Sequence, residues 1–215
     1  MSRSLIVMDC ETLPADPESP EWAAYLAWKR HDPDPIEQTS FTPTLGRLCA
    51  IGVARDDRDP HIFDGGDDFG TVTGERALLA AFADYLQGVQ KKAGGFRIAG
   101  HNVKRFDVPF IQCRMIVHGM ADRVRLLGAL GGKPWESPIL DSLDLFPHPD
   151  GKGFTGGRSL AMICAALGIP QQTGAMGGDM FDAFQRGDFA SIRAHLRDDV
   201  HQTREVFRRL APALE

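Results

Sequence analysis

Residues 4–14 read "SLIVMDCETLP", and the two acids inside this apolar run decide how the chain is read. Residues 5–9 have the composition of a buried strand, yet they lead straight into Asp9 and Glu11, with Cys10 between them. Strand side chains alternate between faces, so residues two apart point the same way, with Cα atoms roughly 6.5–7 Å apart. Asp9 and Glu11 therefore share one face, and Cys10 points away from them. Two like charges so placed repel each other unless solvent screens them or a cation lies between them. A solvated strand end and a cation site both satisfy this stretch taken alone.

The composition narrows the classes. A chain of 215 residues, 43% of them hydrophobic, can build one large domain with a substantial core. The expected organisation is a single domain over 1–215 with an insertion at about 14–44. No apolar run reaches the roughly 18 residues that a membrane span needs. The N-terminus also lacks the basic-then-apolar-then-small pattern of a secretory signal, so a cytoplasmic location is expected. Cys10, Cys49, Cys113 and Cys164 form no CxxC pair, which argues for reduced thiols rather than a disulfide framework or zinc knuckle. The net charge of −5 argues against a broadly basic surface that coats nucleic acid. It leaves room for an enzyme whose acids hold metal ions, since bound cations invert the local sign.

Hydrophobic periodicity predicts strands at 4–9, 47–55, 61–65, 96–102 and 137–146, with the second and third joined as a hairpin by the polar turn "DDRDP". It predicts helices near 21–30, 74–92, 108–118, 159–167, 179–186 and 188–210. Strands with hairpin connections, followed by alternating helix and strand, imply an α/β domain with a mixed sheet covered by helices. The insertion carries Trp22, Tyr25, Trp28 and Phe41, an aromatic content that implies packing against a neighbour. "GKGFTGG" (151–157) contains GxGxxG. It follows no βαβ unit, so it reads as a loop before a helix and not as a dinucleotide fingerprint.

Two further stretches carry acids. In "GHNVKRFDVPFIQ" (100–112), Asp107 precedes a helix with Pro109 in its first turn, where an aspartate can serve simply as N-cap. In "SIRAHLRDDVHQTREVFRRL" (191–210), Ile192, Leu196, Val200, Thr203, Phe207 and Leu210 define a buried stripe. At about 100° per residue, Asp199 falls roughly 55° from the centre of that stripe and Asp198 roughly 155° away. Asp199 thus sits at the core edge, where an unpaired carboxylate is costly. His195, four residues earlier, lies on its flank. A plain His–Asp helix pair is the simplest account of these two. Four acids facing inward form a set that selects hard ions, Mg²⁺ or Mn²⁺, over zinc. Two such ions roughly 3.5–4 Å apart are a common device for displacement at a phosphodiester.

These residues resemble the DEDD 3′–5′ exonucleases of the ribonuclease H-like fold, and most nearly the predicted exonucleases related to the proofreading domain of family B DNA polymerases. The family's Asp-x-Glu matches Asp9-Cys10-Glu11; its Asn-x-x-x-Phe-Asp matches Asn102 to Phe106-Asp107; its terminal-helix acid matches Asp199 in "DVHQT". The resemblance implies an α/β fold with a mixed five-stranded sheet flanked by helices. It implies two Mg²⁺ or Mn²⁺ ions on Asp9, Glu11, Asp107 and Asp199. The implied substrate is the 3′ end of single-stranded DNA or RNA, shortened by release of nucleoside 5′-monophosphates.

One departure stands out. A tyrosine stands four residues before the last acid in one branch of the family, and a histidine five before it in the other. Here His195 stands four before Asp199, a histidine in the tyrosine's place. Histidine side chains titrate near neutral pH, which suits a general base. Thr12, Leu13, Asn102 and Phe106 are the candidate contacts for the terminal nucleotide, and Lys104 and Arg105 for backbone phosphates. The competing readings are a nuclease-like domain that binds nucleic acid but cleaves poorly, and a zinc hydrolase. His201 lies on the wrong face of its helix for the latter, and no HExxH is present.

Overall fold

A computed structural model of the chain describes residues 4–30, 33–128, 139–146, 158–170 and 180–214. The glycine-rich stretch 151–157 lies outside the described residues.

The centre of the fold is β1 (Ser4–Leu13). It pairs antiparallel with β2 (Arg47–Arg55) and parallel with β4 (Phe96–Gly100). β3 (His61–Asp64) extends the β2 edge as the expected hairpin, and β5 (Leu140–Asp141) extends the β4 edge. The order is β3-β2-β1-β4-β5, a mixed five-stranded sheet. β1 runs past both acids to Leu13, beyond the expected end at Asp9. Pairing with β2 continues through a shift of register between Glu11 and Thr12, and only Pro14, which has no N–H to donate, stops it. β5 ends earlier than expected, and residues 137–138 of the expected strand lie outside the described residues. After Asp141 the chain turns into α4 (Ser142–Leu145), capped by the Asp141 side chain, which accepts from Leu143 N.

Alternation along β1 builds two cores. Ile6, Met8 and Cys10 face α2 (Val72–Ala93) and α3 (Asp107–Val117), packing with Phe82, Leu86, Phe110 and Met115. Val7 and Leu13 face α7 (Phe189–Leu214), packing with Ile192, Leu196 and Val200. Between α4 and α7 in the chain come α5 (Leu160–Ala166) and α6 (Met180–Gln185), which join the α7 side. Of the stripe predicted for α7, Ile192, Leu196, Val200, Thr203 and Phe207 are all 3% exposed or less, while Leu210 at its end is only partly buried. On the α2–α3 side, buried Glu75 accepts from Leu48 N, from Arg114 at both oxygens and from His118, tying α2, α3 and β2 together.

The insertion meets expectation only in part: Phe41 packs against Phe106 of the body, with 6.1 Å between ring centres, while its other aromatics do not. Its helix α1 (Pro20–Lys29) buries no residue. Its aromatics pack on one another instead: Trp22 stacks on Tyr25 at 5.3 Å between ring centres, and Trp28 is 73% exposed. The following 3-10 turn, Ile36–Phe41, anchors to the body through buried Thr39, whose Oγ1 accepts from Ala15 N.

Candidate active site: four carboxylates between the sheet and the last helix

The four sequence-predicted acids converge from three elements. Asp9 and Glu11 lie on the face of β1 that looks toward α7, as alternation requires. Asp107 comes from the first turn of α3 and is 2% exposed. Asp199 comes from α7, whose His195 lies one turn earlier. His195 Nε2 is 3.5 Å from Asp199 Oδ2 and 3.9 Å from Glu11 Oε1. Glu11, His195 and Asp199 each offer a ligand atom within 4.8 Å of the others.

Asp107 is not the helix cap that local sequence allowed. Phe106 occupies the cap position, and no side chain caps this helix. The carboxylate turns instead toward β1, where Cys10 and Asp9 lie within hydrogen-bonding reach. Its Oδ1 is buried without a hydrogen-bond partner. Cys10 thus points away from Asp9 and Glu11, as expected, yet still touches the acid cluster, because the start of α3 closes over the strand.

The electrostatics follow from crowding. Burial, then the charges of Asp107, Glu11 and Asp199, push Asp9 well above the ordinary carboxylate range. Burial, then Asp199 and Asp107, raise Glu11 from 4.5 to about 8. Burial raises Asp107 to about 6 against the opposing hydrogen bonds from Cys10 and Asp9. Burial also raises Asp199, partly offset by His195. Asp9 and Asp107 lie close enough that burial and the charge of Asp107 together disfavour ionisation of Asp9. Among the described residues no lysine or arginine pairs with any of the four. The chemistry of these donors fits a hard divalent cation, which Asp9, Glu11, Asp107 and Asp199 would hold and whose charge would offset their mutual repulsion.

The helical-face argument for α7 holds in its main point. Asp199 joins the cluster, whereas Asp198 borders a different surface hollow with Asp59, Pro60, Arg197 and His201. The candidate substrate contacts divide. Thr12 and Phe106 are part-exposed near the acids. Asn102 occupies a left-handed turn (φ 59°), which asparagine tolerates better than most residues. Leu13 is a correction: its side chain is wholly buried, because β1 continues through it into the core, and it has no surface to offer a nucleotide. Lys104 and Arg105 both pair with Asp144, at 3.1 and 3.2 Å. One buried acid went unread in the sequence. Asp141, 2% exposed at the end of β5, accepts backbone N–H groups from Asn102, Lys104 and Leu143. Its signal was there: a charge inside the apolar run "ILDSL", the same anomaly that marked β1.

A family model described as a predicted 3′–5′ exonuclease related to the exonuclease domain of PolB matches residues 39–213. The chain belongs to this family. The stretch that matches this exonuclease family includes Asp107, His195 and Asp199 and begins after Asp9 and Glu11. A comparison with curated proteins found no match. Among solved structures, the chain is similar to the family B DNA polymerase from the hyperthermophilic archaeon Pyrobaculum calidifontis, with a TM-score of 0.65 and 18% identity. That likeness covers 99% of this chain and 25% of the polymerase. It shows the fold, the ribonuclease H-like sheet expected from the sequence. No helix among the described residues is long and apolar enough to cross a membrane.

Proposed function

We propose that this PolB-related exonuclease, acting as a single domain, removes nucleotides from the 3′ end of single-stranded nucleic acid with two divalent cations, Mg²⁺ or Mn²⁺, held by Asp9, Glu11, Asp107 and Asp199. The observation that carries this reading is the convergence of four crowded acids, one with a buried oxygen left without a partner. Bound there, the cations supply Lewis acidity that lowers the pKa of water and neutralises charge developing at the phosphodiester. The chain's own residues do the rest. His195, whose Nε2 lies beside both Glu11 and Asp199, accepts the proton of the attacking water. This oxygen bonds to phosphorus as the bond to the 3′ oxygen of the penultimate nucleotide breaks; the leaving 3′ oxygen takes up a proton from solvent, and a nucleoside 5′-monophosphate is released. Thr12 and Phe106, each next in the chain to one of the acids, and Asn102, in the turn that leads to Asp107, orient the terminal nucleotide. Phe41 leans against Phe106 with 6.1 Å between ring centres and is 71% exposed, a face on which an unpaired base can stack.

The test is an end-labelled strand, DNA and RNA side by side, incubated with Mg²⁺ or Mn²⁺ and with an EDTA control. Stepwise shortening from the 3′ end supports the reading. Metal-dependent binding without shortening assigns a nucleic-acid-binding role instead.

A further inference from the structure

The geometry points to Asp141 as the positioning residue for Asp107: its carboxylate fixes the turn that delivers Asp107 to the acid cluster. The inference rests on the proposed reading of that cluster as a metal site. Residues 101–106 must reverse the chain between the end of β4 and the start of α3. Asp141 pairs with Gly100 at the edge of the sheet, so its side chain reaches under this turn. Asn102 N donates to Oδ1 at 2.8 Å and Lys104 N to Oδ2 at 3.0 Å. The two oxygens of a carboxylate are rigidly spaced and coplanar, so one acceptor on each amide fixes both the position and the tilt of the turn. Leu143 N adds a third bond to Oδ1 at 3.0 Å. Hydrogen bonds to an ionised group are roughly twice as strong as neutral ones.

The turn then passes this constraint on. Asn102 O accepts from both Arg105 N and Phe106 N, and Val103 O accepts from Val108 N. The backbone from Asn102 to Val108 is thereby bonded to itself, and Asp107 lies inside the bonded segment. Neighbouring contacts from the same segment are weaker candidates for this role. The ion pairs of Asp144 with Lys104 and Arg105 hold side chains and leave the backbone free.

The experiment compares Asp141→Asn and Asp141→Ala with Asp144→Asn and the natural chain, all checked by circular dichroism for a retained fold. The asparagine substitution keeps one acceptor but turns an amide N–H₂ toward a backbone donor, so it is the milder lesion should the alanine variant fail to fold. In protein without added metal, hydrogen exchange at the Asn102 and Lys104 amides is expected to quicken at least tenfold in the Asp141 variants and to stay unchanged in Asp144→Asn. Mn²⁺ affinity, measured by electron paramagnetic resonance, is expected to weaken about tenfold, the low end for partners that orient a metal ligand. Turnover should recover at high Mn²⁺ with KM for the strand unchanged, which a general loss of stability would not produce. Natural rates of amide exchange in both variants, or natural Mn²⁺ affinity once the amides are released, would overturn the inference. A natural chain that neither binds Mn²⁺ nor shortens the strand overturns the functional reading instead, and the exchange measurement still decides whether Asp141 fixes the turn.

Discussion

Gly52 of β2 lies directly opposite Asp9 of β1 in the antiparallel ladder, and the absence of a side chain there lets α7 settle onto the sheet. A Cβ at Gly52 would stand 2.8 Å from Val200 Cγ2 and 2.9 Å from Leu196 Cγ. These two residues flank Asp199 on the buried stripe and follow His195. The close approach of helix to strand is therefore what brings the acids of β1 and α7 together.

Gly52→Ala should consequently lower both stability and activity. Overpacking of this kind costs about 1–3 kcal/mol, read as a fall in Tm, and the displaced helix should raise the metal concentration needed for half-maximal cleavage. An alanine variant with natural Tm and natural metal dependence would show that the helix does not rest on this glycine.

Asp199→Ala should reduce cleavage by about a thousandfold, since several kcal/mol of charge stabilisation would be lost with a cation. Asp198→Ala, one residue away but outside the cluster, should stay within about twofold of the natural rate. Equal impairment of the two would refute the assignment of faces on α7.

His195→Ala should lower kcat by about 10²–10⁴-fold, the range for a general base, with KM and Mn²⁺ affinity nearly unchanged. If Mn²⁺ affinity falls in step with kcat, the imidazole is a ligand alongside Glu11 and Asp199 and some other group takes the proton.

The pH dependence of stability in EDTA has a definite sign. Burial and the neighbouring Asp199 and Asp107 raise Glu11 in the folded chain from 4.5 to about 8, so between these values the native state holds a proton that the unfolded chain has lost. Stability from this group is fully present below about pH 4.5 and declines as pH rises toward 8. Denaturant unfolding of Glu11→Gln in EDTA should show a flatter decline over this window than the natural chain. Identical slopes would mean that Glu11 ionises normally. Added Mn²⁺ should reverse the trend in the natural chain, because binding requires the carboxylates to deprotonate.

Phe41→Ala should raise KM for single-stranded substrate by about tenfold while leaving kcat alone, given that base–aromatic stacking is worth about 1–3 kcal/mol per base. An unchanged KM would make Phe41 an ornament of the insertion, as solvent-facing as Trp28.

Much of this was legible along the chain because it depends on local periodicity. Alternation placed Asp9 and Glu11 on one face of β1, and a stripe of threes and fours set Asp199 apart from Asp198. Boundaries were less legible. β1 ran on to Leu13 because β2 supplied partners for its backbone, so a residue read as a substrate contact became core. Asp107 looked like a helix cap because capping is a local device, whereas its carboxylate answers to β1, a distant stretch of chain. The aromatics of α1 looked like packing residues because their composition carries no address, and they turned out to stack among themselves.

The elements, their faces and the three acidic motifs can be read along the chain alone, since each depends on residues within a turn or two of one another. That β1, α3 and α7 meet, that Gly52 sets the depth of the helix on the sheet, and that Asp141 holds the turn before Asp107 emerge with the folded arrangement. These are contacts between residues far apart in the chain, and their energies arise from packing and burial that exist only once the sheet has assembled.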